Sequence, residues 1–265
     1  MLTPVAVVLF VLYVYPFVFI VLNSFRSRVD IVRNPMGWPE TWQVSNYVEA
    51  FEAMHFVRAM TNSLTVTVSS LVLVIVFSSM FAYFLARWHW KFNTVVFTLL
   101  VMSMIIPFQV LMIPYSFVFG QLNLLDTIPT LVFSYVGFAM AQSTFLYHGF
   151  IKGIPKELEE AATIDGANRF QVFARVVFPM LKPITATIAI INGLWFWNDF
   201  LLPFLVLRTP GLRTIPLSTF VFFGRFTTEF GVAMAALIMA ALPIVMFFLF
   251  AQKYIIRGLV EGAIK

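Results

Sequence analysis

The sequence predicts an all-α membrane protein with six transmembrane helices, and three observations carry that reading. Hydrophobic residues make up 61% of the 265-residue chain and charged residues only 11%, against roughly 45–50% and 25% in soluble globular domains. Six segments are apolar over the length of about 20 residues that an α-helix needs to cross the hydrocarbon core. Asp199 is the only carboxylate well inside any of them. With a mean hydropathy of +0.92, a water-soluble fold would lack the polar residues to cover its apolar surface, so the bilayer is the solvent that fits.

The first span, 2–23, carries no charge. It is longer than the apolar core of a signal peptide, has no Lys or Arg before it and no A-x-A-like site after it, and so reads as a retained span. In the connection 26–61, Tyr47, Phe51, Met54 and Val57 recur at helical spacing beside Glu49, Glu52 and Arg58. That pattern suits a short amphipathic helix at the outer interface, or a packed connecting helix. Trp38, Pro39 and Trp42 before it fit headgroup-level anchoring. The second and third spans, 64–86 and 92–113, are separated only by Arg87-Trp88-His89-Trp90-Lys91 and form a tight antiparallel pair. Thr65, Thr67, Ser69, Ser70, Ser78 and Ser79 in the second span permit close helix approach. Spans at 128–148, 184–207 and 230–251 complete a single domain, 1–265, without internal repeats. Pro16, Pro107, Pro203 and Pro243 fall within or near span ends, where kinks are expected.

Orientation follows from Lys and Arg. One side holds ten of them: Arg87, Lys91, Lys152, Lys156, Arg169, Arg175, Lys182, Lys253, Arg257 and Lys265. The other holds seven: Arg26, Arg28, Arg33, Arg58, Arg208, Arg213 and Arg225. The positive-inside rule places the first set, with both termini, in the cytoplasm. The net charge of +5 contains no basic block, which argues against nucleic acid as a partner. The absence of Cys excludes disulfides and thiolate metal sites.

The connection 152–183 is long enough to need a reason. Pro155 sits where a first helical residue would, and Glu157, Glu159 and Glu160 crowd the first turns, where the helix dipole favours negative charge. Leu158, Ala161, Ala162 and Asp165 share adjacent helical positions, and Gly166 stops the helix. A second helix follows with Phe170, Phe173, Val176 and Val177 as its apolar stripe, closed by Pro179 and Pro183. Ala161 and Ala162 leave room for close approach of another surface, and Glu160 and Asp165 offer carboxylates to Arg or Lys on a partner. This helix–glycine–helix is either a docking element or a brace for the membrane bundle.

Glu160-Ala161-Ala162, then Gly166, then Val176-Val177-Phe178-Pro179 resembles the EAA motif of binding-protein-dependent ABC importer permeases: E-A-A, three residues, G, nine residues, and an I-x-L-P-like end. Ile106-Pro107-Phe108-Gln109 with Ile113-Pro114, Leu124-Leu125-Asp126-Thr127, Trp197-Asn198-Asp199-Phe200-Leu201-Leu202-Pro203 and the tail Gln252-Lys253-Tyr254, Gly258, Gly262-Ala263 are similar to the maltose, sugar-importing branch of that family. The resemblance covers about residues 35–265. Met1-Leu2-Thr3-Pro4 departs from the short basic tail with which such permeases begin.

The resemblance implies a type I ABC importer permease of a bacterial or archaeal inner membrane. The 155–178 helices would dock in a cleft of a cytoplasmic ATPase dimer, with Glu160, Ala161, Ala162, Asp165, Gly166, Arg169 and Pro179 forming the coupling element. ATP and Mg would bind that ATPase, and this chain would need no cofactor. A second, homologous permease would complete the pore. An extracytoplasmic solute-binding protein would deliver a sugar or oligosaccharide, touching the 208–229 loop.

No G-x-x-x-x-G-K-[ST] loop occurs in the sequence, so the chain is not expected to hydrolyse ATP or to be an enzyme. His55, His89 and His148 have no metal-ligand spacing, and no nucleophile–base pair stands out. Polar groups inside spans are costly and mark function or structure. Asn192 and Asp199, seven residues apart, share a helix face, with Trp195 between them and Asn198 alongside. They line a sugar path or clamp two helices together, and Gln109 beside Pro107 carries the same two readings. Two alternatives remain: an importer of an anionic polyol phosphate attracted by Arg208, Arg213 and Arg225, and a proton-coupled carrier using Asp199.

Overall fold

The computed structural model describes residues 2–88, 90–223 and 229–263, with side chains described at 3–88, 90–222 and 229–249. His89, Arg225 and Lys265 lie outside the described residues, as do the side chains of Gln252, Lys253, Tyr254 and Arg257. Helices α1 (Leu2–Asn23), α2 (Arg28–Arg33), α3 (Ser45–Ala53), α4 (Phe56–Arg87), α5 (Lys91–Ser103), α6 (Phe108–Gln121) and α7 (Ile128–Lys152) come first. Then follow α8 (Glu157–Ile164), α9 (Arg169–Val172), a π-helical turn (Phe173–Val177), α10 (Phe178–Met180), α11 (Lys182–Asn198) and α12 (Leu201–Val206). The chain continues through α13 (Ile215–Thr219) and α14 (Phe230–Ala263). No strand occurs among the described residues.

Among the described residues, three helices are long and apolar enough to cross a membrane: Thr3–Asn23, Phe56–Arg87 and Phe230–Leu249. Counting two bent pairs, Lys91–Ser103 with Phe108–Gln121 and Arg169–Met180 with Lys182–Asn198, gives up to five. The 25-residue α7 is about 37 Å long at 1.5 Å per residue. It carries Ser134, Tyr135, Ser143, Thr144, Tyr147 and His148 as buried residues, so it is turned toward protein along much of its length.

Where the sequence suggests a kinked third span over 92–113, the chain breaks. Pro107 begins a new helix and the axis turns by 101°, as expected when the residue before proline is steered out of the helical region. The expected fifth span, 184–207, is likewise interrupted at Asp199, whose backbone is extended (φ −70°, ψ 130°).

The chain divides into two compact units, Met1–Ser63 with Thr209–Phe247, and Leu64–Arg208 with Phe248–Lys265. In the first, buried Arg26 organises the connection after α1. Its guanidinium donates to Asn23 Oδ1 (2.8 Å) and to the carbonyls of Asp30 (2.9 Å) and Asn34 (2.9 Å). Helix α3 buries Asn46 and Ala50; of the apolar stripe expected at 47, 51, 54 and 57, Tyr47 and Met54 pack on the unit's core while Phe51 and Val57 stay exposed. Asn46 Nδ2 donates to the carbonyls of Ser24 (2.9 Å) and Arg26 (3.1 Å). Ala50, Met54, Ala59, Ile215, Val232, Ala235 and Ala236 form the unit's apolar core. Asn62 Nδ2 donates to the carbonyls of Gly211 and Arg213, both at 3.0 Å, and Ser63 Oγ accepts from Ile215 N (2.8 Å), mooring the 209–215 segment.

In the second unit α7 packs against α5, α11 and α12. Phe97 of α5 lies 4.0 Å from the His148 ring, and Tyr147 Oη donates to Thr185 Oγ1 (2.8 Å). Thr127 caps α7 by accepting from Thr130 N (3.2 Å). Asp126, held at φ 65°, takes the Arg208 N–H on Oδ1 (2.8 Å) and donates its own N–H to Val206 O (2.7 Å). The Leu-Leu-Asp-Thr segment therefore ties the start of α7 to the end of α12.

Candidate functional site

The segment 152–183 folds as a helix, a glycine turn and a second helix, all within the second unit. Glu157, Glu159 and Glu160 occupy the first turn of α8, where the free N–H groups and the dipole stabilise negative charge. Gly166, at φ +89°, ends the helix in a Schellman arrangement: Ala167 N donates to Ala162 O and Gly166 N to Thr163 O, both at 3.0 Å. Asn168 then opens α9 with a reciprocal capping box, its Oδ1 accepting from Gln171 N and its own N–H donating to Gln171 Oε1, each at 2.9 Å.

The second helix does not remain α. Phe178 N reaches back five residues to Phe173 O, which makes 173–177 a π turn. Pro179 follows at once and has no N–H for the carbonyl four residues earlier, so a local widening leaves fewer groups unsatisfied. The buried stripe is Val172, Phe173 and Val177, with Val176 half-buried and Phe170 66% exposed. Sequence spacing had put Phe170 on the buried face.

The loop has two unlike faces. Outward lie Glu160, Ala161, Asp165 and three large apolar residues: Leu158 (44% exposed), Ile164 (85%) and Phe170 (66%). Inward, Glu159 rather than Glu160 makes the strong contact. Arg87, the last residue of α4, sets Nη2 at 2.6 Å and Nε at 2.7 Å from Glu159 Oε1. Tyr83 Oη donates to Glu159 Oε2 at 2.7 Å. Arg169 lies 5.4 Å from the Trp88 ring centroid, within cation–π range. A cavity of about 230 Å³, lined by Arg87, Trp88, Lys156, Glu159, Glu160 and Arg169 among others, opens beside this cluster. The sequence reading assigned Glu159 only to the helix dipole and Arg87 only to topology. The pair is 72 residues apart, and no local pattern announces it.

The intramembrane polar residues separate. Asn192, 1% exposed, donates to Ser143 Oγ on α7 (3.2 Å) and to Ile188 O (3.0 Å). Asp199 accepts Tyr135 Oη on Oδ2 (3.0 Å) and Leu201 N on Oδ1 (3.0 Å). Both are held against α7, which is the clamp geometry of the two readings. Asn198 is exposed, donating to Leu194 O (2.8 Å), and Gln109 is exposed in the first turn of α6. Trp195 borders a cavity of about 450 Å³ with Phe108, Tyr115, Phe119, Phe138 and Ser134. Tyr115 and Ser134 share a 2.6 Å hydrogen bond there. Of the five path candidates, Trp195 lines this cavity. The aromatic contribution of α6 to that cavity was not foreseen; it follows from the break at Pro107.

With this geometry in hand, known proteins give a consistent answer. Residues 75–260 match the family described as "Binding-protein-dependent transport system inner membrane component". The chain is 39% identical to the probable starch degradation products transport system permease protein AmyC of Thermoanaerobacterium thermosulfurigenes, over 100% of this chain and 96% of that protein. It is 38% identical to the melibiose/raffinose/stachyose import permease protein MelC of Bacillus subtilis, over 94% and 91% of the two chains. It is 36% identical to the multiple sugar-binding transport system permease protein MsmG of Streptococcus mutans, over 96% and 93%. The fold is also that of a bacterial ABC transporter involved in import of the acidic polysaccharide alginate, with a TM-score of 0.80 over 96% and 95% of the two chains at 24% identity. An apolar, helical chain carrying the motif spacing at Glu160, Gly166 and Pro179, and matched along its length, belongs to the inner-membrane permease family of binding-protein-dependent ABC transport systems.

Proposed function

We propose that this chain is a permease subunit through which a sugar or oligosaccharide enters the cell by alternating access, and that the 152–183 loop is gripped by a cytoplasmic ABC ATPase dimer. The observation that carries the proposal is the outer face of the loop. Leu158, Ile164 and Phe170 stand exposed among Glu160 and Asp165, on a turn whose N–H groups from Asp165 to Asn168 are each hydrogen-bonded. A bracing loop would turn its large apolar residues into the bundle. Large apolar side chains exposed among charged ones on an ordered loop are the composition of a protein interface. The printed substrates of the three relatives above, starch degradation products, melibiose/raffinose/stachyose and multiple sugars, support the substrate class. On this reading the ATPase holds ATP and Mg, and both termini of this chain face the cytoplasm. A second permease and an extracytoplasmic solute-binding protein complete the machine, with membrane lipid around the bundle.

Uptake of labelled maltotriose and raffinose in cells lacking or re-expressing this chain tests the proposal. Uptake should need the chain, persist when a protonophore collapses the proton gradient with ATP preserved, and stop on ATP depletion. Loss with the gradient alone would replace the importer reading with a proton-coupled one.

A further inference from the structure

We propose that Arg87, Glu159 and Tyr83 form a latch that fastens the inner face of the coupling loop to the end of α4, so that movement of α8 is passed into that helix. This rests on the coupling role proposed above and names residues outside the motif that carries it. Both carboxylate oxygens of Glu159 are taken by α4: Oε1 by Arg87 (2.6 and 2.7 Å) and Oε2 by Tyr83 (2.7 Å). Arg87 also donates through Nη2 to Ile154 O at 3.0 Å, just ahead of Pro155, so one guanidinium holds both the entry to α8 and its first turn. The two charged side chains are only 8% and 12% exposed, which shields the pair from the screening that makes surface ion pairs weak.

Tyr83 and Arg87 are one helical turn apart on the same face of α4. Tyr83 in turn packs on Phe173 (5.3 Å between centroids) and edge-on against Trp88 (5.8 Å), and Arg169 lies over the Trp88 ring, 5.4 Å from its centroid. Contacts to α8, to the segment before it and to the second helix of the loop thus converge on residues 83–88. A planar fork with two donors to one carboxylate and one to a carbonyl resists both sliding and rotation, which a single point contact would not. Glu160, one residue along, faces outward and is free to serve the partner. Neighbouring glutamates therefore divide the work: Glu159 binds inward and Glu160 outward.

The test uses the full transporter with its ATPase, second permease and binding protein, reconstituted in liposomes. It reads maltotriose or raffinose moved per ATP hydrolysed. Wild-type complex is measured first, so failure of the transport reading appears there and failure of the latch only in the variants. Arg87→Glu and Glu159→Arg should each lower the transport-to-hydrolysis ratio about tenfold or more while hydrolysis continues, as expected when a shielded charge loses its partner. The double exchange should recover most of the ratio, since it restores an opposite-charge pair. Should either single variant fail to assemble, Glu159→Gln keeps the shape and an acceptor for Tyr83 and should lower the ratio about two- to fivefold. Single variants with the wild-type ratio, or a double exchange no better than its parents, would overturn the latch.

Discussion

Replacing Gly166 isolates the turn from everything else in the loop. An added Cβ there meets no atom within 4 Å, so any effect comes from backbone conformation at φ +89°. For an L-residue this region costs roughly 1–2 kcal/mol, more for a β-branched side chain and less for Asn, which tolerates it. Against that stand the turn's two hydrogen bonds, from Ala167 N to Ala162 O and from Gly166 N to Thr163 O, each worth about 0.5–1.5 kcal/mol net. Gly166→Asn should therefore keep the turn, Gly166→Ala should leave it marginal, and Gly166→Val should open it. A penalty of about 2 kcal/mol changes the ratio of formed to opened turn by roughly thirtyfold. Because the site is exposed, none of these variants should unfold the membrane bundle. The assay is sugar uptake normalised to the amount of protein in the membrane fraction, across all four residues. The expected order is Gly, Asn, Ala, Val, with Val near background at normal abundance. Wild-type uptake by Gly166→Val would refute the reasoning, because it would show that the reversal is not needed for coupling. Loss in proportion to abundance would point to folding instead.

Two further substitutions probe packing away from the loop. A Cβ at Gly231 would collide with the Arg26 carbonyl oxygen and with Asn46 Nδ2, the same amide that holds the Ser24 and Arg26 carbonyls. Gly231→Ala should cost about 2–4 kcal/mol from overpacking and a displaced hydrogen bond, lowering the thermal midpoint in detergent on the order of 10 °C; an unchanged midpoint would mean that the Arg26 segment yields freely. Tyr147→Phe removes the donor to Thr185 at 2.8 Å, a bond between helices of the kind that averages about 0.6 kcal/mol in membranes. It should lower the midpoint by about 1–3 °C and leave uptake intact, whereas loss of uptake would place the pair in the transport cycle.

What could be read in advance was what the chain encodes over a few neighbouring residues. Pro155, three acids in one turn and Gly166 announce the first helix and its end, and the structure supplies the positive φ that the glycine implied. Asn168 and Gln171 announce the second helix just as locally, through a capping box that the reading passed over. The prolines were less legible. Pro16 and Pro243 lie inside unbroken helices, yet a new helix starts after Pro107 and the backbone is extended at Asp199, four residues before Pro203. A missing N–H leaves a carbonyl to be satisfied; whether the helix also ends depends on what else can bond there. At Asp199 the side chain takes the Leu201 N–H and Tyr135 supplies a donor from α7, and that second contribution is tertiary. The Arg87–Glu159 pair is tertiary altogether. Hydrophobic periodicity placed Tyr47 and Met54 rightly against the core but not Phe51 or Phe170, which are exposed, because it ranks residues by apolarity, while small or polar Asn46 and Ala50 fit where Phe51 does not.

The division of labour in the loop bears on how force can pass through it. A segment held only by apolar packing slides at small cost, since such contacts have no direction. A segment held at one shielded ion pair, one tyrosine hydroxyl and one carbonyl has a defined lever arm instead. On α8, Glu159 and Ala162 are the partly buried positions, while Leu158, Glu160, Ala161 and Ile164 lie on the exposed side. The two inner positions are three apart in sequence, so a helix only two turns long presents one face to its own chain and leaves another open. The glycine turn then sets the direction in which the second helix leaves, and the π turn at 173–177 accompanies the packing of Phe173 against Tyr83 before that helix ends at Met180. A loop built merely to connect spans would need none of these three devices. Their joint presence supports the proposal that 152–183 is a transmission element, fastened inward through Glu159 and left open outward through Ile164 and Phe170.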